Sequence, residues 1–281
     1  MFTKSFQNQN AAWIVLVIGL IATGSLWFIS EKYTANAIER RLGSRVLHIT
    51  EMIKDTLRDN ERNLWLVGNF LNTTDNFDKT KWQTNVSDIP ALENWQALRE
   101  IGLIIPIAPE GDQSEYTSNV LHKTLGPDEQ LPSGHNMWSD STLREVMINS
   151  RDTGLASSTG PQVFPQEADE SSQRGFLTYL PLYKTGMPLY SVEDRRLAFR
   201  GWIYSHIHIH ELMKSIQFTE NTNLAFKIYD GQNLEQKSLL YDNTEVLFST
   251  TNQNGFLTKS EIISVHGRQW AIFLHLIIAK N

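Results

Sequence analysis

GFLTYLPLY (Gly175 to Tyr183) and AFRGWIYSHIHI (Ala198 to Ile209) are two runs of apolar and aromatic residues. A loop carrying Gly186, Pro188 and the charged cluster Glu193-Asp194-Arg195-Arg196 separates them. Runs of this kind bounded by turn residues predict a pair of strands. Tyr179 and Tyr183 stand an even number of residues apart and so share one strand face. Downstream, NLAFKIYD (Asn223 to Asp230), SLLY (Ser238 to Tyr241), EIISV (Glu261 to Val265) and QWAIFLHL (Gln269 to Leu276) repeat the pattern. Asp230-Gly231 and His266-Gly267 supply turn signals between them. Upstream, STLREVMINS (Ser141 to Ser150) predicts a short helix, with caps available at Ser139 to Ser141 and a glycine stop at Asp152-Thr153-Gly154. IGLIIPIA (Ile101 to Ala108) predicts a further strand closed by Glu110-Gly111-Asp112. Antiparallel hairpins with a few helices give an α+β fold, not a doubly wound sheet.

The N-terminal part is of another kind. Ala11 to Ile29 reads AAWIVLVIGLIATGSLWFI without a charge, about 19 residues, which matches the hydrocarbon thickness of a bilayer. Trp13 and Trp27 stand near its ends, where indoles favour the interface. The expectation is an uncleaved membrane anchor over residues 1–30. A cleaved signal peptide is the rival, with Ala35-Asn36-Ala37 as its small-x-small site. Lys4 precedes the span while Lys32, Arg40, Arg41 and Arg45 follow it, so a bare charge count points the C-terminal part inward. Large following domains translocate largely regardless of charge, and the expectation is a single-pass cell-membrane protein with its bulk in the periplasm or extracellular space. From residue 31 to about 72, Ile38, Leu42, Val46, Ile49, Ile53, Leu57, Leu64, Val67 and Leu71 recur at helical spacing, predicting a long stalk helix. Its apolar stripe packs either on the chain's own globular part or on a second copy in a homodimer; both stay open at this point.

Across 281 residues, 41% are hydrophobic, 25 Lys and Arg face 31 Asp and Glu, and the net charge of -6 gives no overall positive field. Nucleic-acid binding is not expected. With 0 cysteines there is no disulfide framework, thiolate zinc site or cysteine nucleophile.

Four ordered blocks carry a family resemblance: GHNMWSDSTLREVMINSRDTG (Gly134 to Gly154), SSTGP (Ser157 to Pro161), GFLTYLPLYK (Gly175 to Lys184) and SVEDRRLAFRGWIYSHIHIHELM (Ser191 to Met213). Together they resemble the CHASE domain, the extracytoplasmic sensor module of histidine kinases and cyclic-dinucleotide enzymes. The resemblance implies two PAS-like antiparallel-sheet subdomains after the stalk, a membrane-distal one over residues 73–214 and a membrane-proximal one over 215–281. It also implies a small-molecule ligand of unassigned class in the distal subdomain, with Ile148 and Thr159 lining the pocket and Tyr179, Leu182, Gly201 and Tyr204 on its floor. The acidic residue of the plant members falls in a poorly matched stretch where Asp128 is nearest. No cofactor is implied. Read without the family, the Thr159 hydroxyl serves a turn before Gly160-Pro161, and the tyrosines are core.

His206, His208 and His210 would share one face of a strand and, with Glu211, offer zinc-type ligands. Arg144 and Arg151 share a helix face, with Asp140 or Glu145 as pairing candidates. No nucleophile elbow, phosphate loop or HExxH occurs, so the chain is expected not to be an enzyme. The function expected is a membrane-anchored extracytoplasmic sensory domain that binds a small molecule for transmembrane signalling. The alternatives are a scaffold that binds another protein and a histidine-cluster metalloenzyme. Ala271 to Ile278 is too short for a second span, so the sensor is expected to lack its own output domain and to act through a separate signalling protein.

Overall fold

The computed structural model describes residues 3–72, 97–107, 116–124, 136–163, 174–216, 224–244 and 256–277. Helix α1 (Thr3–Asn72) is followed by strands β1 (Leu98–Ile107) and β2 (Tyr116–Thr124), helix α2 (Ser141–Thr153), and strands β3 (Ser157–Ser158), β4 (Gln162–Val163) and β5 (Arg174–Tyr183). Then come α3 (Val192–Ala198), β6 (Phe199–His208), α4 (Ile209–Ser215), β7 (Leu224–Asp230), β8 (Leu239–Asp242), β9 (Phe256–Val265) and β10 (Arg268–Ile277). The first sheet has 6 strands in the order β2-β1-β6-β5-β3, with β4 also on β5, and the second has 4 in the order β8-β7-β10-β9. All of these pairings are antiparallel, as the hairpin reading requires. Contacts divide the chain into two compact units, Met1–Leu47 and His48–Asn281.

In the first unit α1 runs unbroken through the small-x-small site. Its apolar side chains stand exposed, among them Trp13, Leu16, Ile21, Trp27 and Ile29. The expected span is not established by the structure: among the described residues no helix is long and apolar enough to cross a membrane.

In the second unit the apolar stripe of α1 is buried within the single chain, with Ile53, Leu64 and Val67 fully covered. The helix comes so close to the first sheet at Gly68 that a Cβ there would lie 2.8 Å from Leu182 Cδ2. The charged run after Ser191, expected as loop, folds as α3. The Ser191 hydroxyl accepts from Asp194 N while the Asp194 carboxylate accepts from Ser191 N, a reciprocal cap that sequence periodicity does not show. Strand β2 also escaped the sequence reading, because YTSNVLHKT alternates weakly and sits at the sheet edge.

Candidate functional site

The first sheet has two apolar faces, and strand alternation decides which residues share one. On the face toward α2, Leu177 and Tyr179 of β5, Trp202 and Tyr204 of β6, and Ile104 of β1 form a buried cluster with Met137, Trp138 and Met147. Leu143, Val146, Ile148 and Phe199 pack against it. Helix α2 is fixed over this face by its ends. The Asp140 carboxylate accepts from Thr142 N at 2.7 Å and Leu143 N at 3.1 Å, and Gly154 closes the helix in the left-handed conformation at φ 75°. Trp202 Nε1 donates to Met147 O at 2.9 Å and Ser150 Oγ to Tyr179 O at 3.0 Å, stitching helix to strands. Trp138 and Trp202 meet in a tilted arrangement at 5.8 Å between centroids, and Tyr179 and Tyr204 in a similar one at 6.3 Å.

Polar groups punctuate this floor. The Tyr179 hydroxyl is fully buried and donates to Met137 Sδ at 3.6 Å; a thioether is a weak acceptor. Burial, and then the charge of Asp140, push the Tyr179 phenol above its ordinary range. The Tyr204 hydroxyl donates to Glu100 Oε1, and the Glu100 residue is only 3% exposed. Directly across from Glu100 on β6 stands His206. Burial pushes its ring down to about 3, assisted by His208 and Arg99, so it is neutral at physiological pH. An apolar surface set with a few fixed hydroxyl and carboxylate groups has the composition of a small-molecule site.

Of the six residues expected at a pocket, the structure brings Ile148, Tyr179 and Tyr204 together on the α2 side. Leu182 lies on the opposite face, against Gly68 of α1, because it is an odd number of residues from Tyr179 along one strand. Gly201 serves strand pairing: a Cβ there would stand 2.4 Å from Ile104 O of β1. The Thr159 hydroxyl donates to Gly160 O at 2.9 Å and accepts from Leu177 N at 3.1 Å, so the backbone uses both of its roles. Asp128 lies outside the described residues. Glu100, Met137, Trp138, Met147 and Trp202 were not anticipated. An acid inside LREIGLIIPI, and Trp202 two places before Tyr204, were the legible signals.

The histidine cluster separates. Strand β6 ends at His208, and His210 belongs to α4, where its ring meets Tyr241 at 5.9 Å while His206 and His208 stay 4.9 Å apart. Glu211 pairs with Lys214 and Arg99. Among the described residues no group of three His, Cys, Asp or Glu side chains is placed to hold a metal ion. Arg151 pairs with neighbouring Asp152, not with Asp140 or Glu145. Bonds from Arg196 first and Arg151 second hold the Asp152 carboxyl down at about 2.

Comparison with known proteins gives one family: the CHASE domain matches residues 71–241. No curated protein matches the chain. Among solved structures, one named as the extracellular domain of the histidine kinase soHK1S-Z6 is 8% identical, covering 86% of this chain and 96% of its own at a TM-score of 0.45. A domain of a sensory box/GGDEF family protein from Vibrio parahaemolyticus is also 8% identical, covering 82% and 93% at 0.44.

Proposed function

The chain belongs to the CHASE domain family, whose members are extracellular sensor domains rather than catalytic ones, and from that premise we propose that it binds a small molecule for transmembrane signalling. The ligand sits on the α2 side of the first sheet, among Ile148, Tyr179 and Tyr204. The observation that carries this reading is the buried Tyr179 hydroxyl, whose partner is a thioether. A ligand carbonyl or carboxylate is a stronger acceptor, and Met137 is flexible enough to withdraw for it. Residues 1–30 anchor the chain, supported by the exposed apolar run from Trp13 to Ile29. The sensory part lies outside the cytoplasm, and the distal and proximal subdomains divide near residue 214. Two copies pair along α1, supported by Leu66 and Phe70, four residues apart and 50% and 37% exposed.

The test is a thermal-shift screen of the full chain in detergent against adenines, amino acids and carboxylates. At 100 times its dissociation constant a ligand adds about 2.7 kcal/mol. A shift that disappears in Tyr179→Phe supports the reading; a shift of equal size in both proteins places the ligand elsewhere. The second reading, a protein-binding scaffold, is favoured by exposed Leu155, Leu189, Leu197 and Tyr190, the last 93% exposed. It is checked by whether Tyr190→Ser and Leu197→Ser abolish co-purification of a membrane partner.

A further inference from the structure

The β9–β10 turn is made by His266 and Gly267, at φ 44° and 82°. Two successive positive φ values define the turn type in which asparagine is the favoured first residue and a histidine is locally inferior. The imidazole is nonetheless deployed in full. Its Nδ1 lies 2.9 Å from Ser158 Oγ of β3, which in turn lies 2.9 Å from Thr178 Oγ1 of β5. Its Nε2 lies 3.6 Å from Glu61 Oε2 of α1, an ion-pair separation rather than a hydrogen bond. The backbone joins in, with Ser158 N donating to His266 O at 3.2 Å. The ring is 8% exposed. One side chain of the second sheet thus touches the long helix and strand β3 of the first sheet, and reaches β5 through the Ser158 hydroxyl.

We infer that His266 is a positioning residue that fastens the second sheet to α1 and to the first sheet at once. The inference concerns the linkage itself and stands whether or not a ligand binds. A neutral ring can donate from Nε2 toward Glu61 while Ser158 donates to Nδ1; a protonated ring donates to both and makes the Glu61 contact an ion pair.

The charged groups around the turn agree. Glu61 faces it from α1, and its carboxyl is held below the usual carboxylate range, by the His266 ring first and against the opposing effect of burial. Arg268 on β10 is committed to Asp230 on β7, with Glu145 of α2 acting on it from a distance. From α2 the nearest group is neutral Asn149, whose Nδ2 would lie 3.8 Å from a Cβ at Gly267 and is itself bonded to Ser157 Oγ. Glu61 is therefore the anion that a protonated ring meets. The sign follows: ionised Glu61 contributes above its unfolded value and loses that contribution as pH falls through its lowered one.

The test is a double-mutant cycle on the full chain in detergent with His266→Asn, Glu61→Gln and both, followed by denaturant unfolding at about pH 5.5 and about pH 8. His266→Asn improves the turn and removes the ring, so it separates a turn role from a linking role. The expectation is a destabilised His266→Asn and a coupling of at least about threefold in the unfolding constant between His266→Asn and Glu61→Gln at both pH values. A His266→Asn as stable as the parent, or additive effects at both pH values, overturns the inference. Glu61 is a third exposed, so Glu61→Gln folds and its pH profile remains readable if His266→Asn does not fold.

Discussion

Gly201→Ala should be among the most damaging one-carbon changes in this chain, and the reason is a single distance. An alanine Cβ would stand 2.4 Å from the carbonyl oxygen of Ile104, and its further neighbours at 3.4 and 3.6 Å are also backbone of β1. Real contacts of this kind do not fall below 3.0 Å, so β1 and β6 must separate by at least 0.6 Å (3.0 less 2.4) at a pair of interior strands. That separation strains both strands, since β1 also bonds β2 and β6 also bonds β5. Overpacking ordinarily costs about 1–3 kcal/mol, and with backbone as the obstacle about 3 kcal/mol is expected here. That is a large part of the roughly 5–15 kcal/mol that holds a domain together.

Gly68→Ala is the control. Its Cβ would meet Leu182 Cδ2 at 2.8 Å, the movable end of a side chain, while helix propensity returns about 1 kcal/mol. The net effect should lie within about 1 kcal/mol of zero. Denaturant midpoints of the full chain, read by tryptophan fluorescence, give both values. A Gly201→Ala within 1 kcal/mol of the parent, or less damaging than Gly68→Ala, would refute the packing argument and return Gly201 to the list of ligand contacts.

Three further outcomes are expected. Leu64→Ala, at a fully buried position of α1, should cost about 3 kcal/mol in denaturant unfolding at fixed protein concentration, because the stripe it belongs to is covered within one chain. Tyr204→Phe removes the donor to buried Glu100 and should cost about 1–3 kcal/mol; a neutral result in equilibrium unfolding would mean the carboxylate does not depend on that hydroxyl. Asp152, held at about 2 against an ordinary 3.8, stabilises the fold above the ordinary value and loses that contribution as pH falls toward 2. Asp152→Asn should flatten this acid limb in pH-dependent melting. At neutral pH it should cost only about 1 kcal/mol or less, since Arg196 is 51% exposed and screened by water.

Much of the fold was legible because local chemistry and tertiary outcome agree. The β5 and β6 runs, the α2 helix with its glycine stop, the long N-terminal helix and the His266-Gly267 turn could all be read from spacing and turn residues. Family motifs in the four blocks were legible too, and they fall within the matched residues 71–241. The site was legible only in part. Tyr179 and Tyr204 face α2 as an apolar floor requires, yet Leu182 is turned away by the same alternation that was available in the sequence. Thr159 could be read either as a turn residue or as a pocket residue, and the hydrogen bonds to Gly160 O and Leu177 N fulfil the turn role.

Composition and periodicity by themselves determined the α+β class, an apolar N-terminal helix continuing into an amphipathic one, and the absence of thiol chemistry, since these depend on residue types and on intervals within one element. Tertiary structure decided what depends on distances between elements far apart in the chain. It turned the stripe of α1 onto the chain's own first sheet, where Leu182 meets Gly68. It brought Glu100 under the hydroxyl of Tyr204 and sent His210 away from His206 and His208. It also set the ring of His266 between Glu61 and Ser158, more than a hundred residues away from either. A sequence records which side chains could form such contacts; only the packing of sheets and helix selects the ones that do.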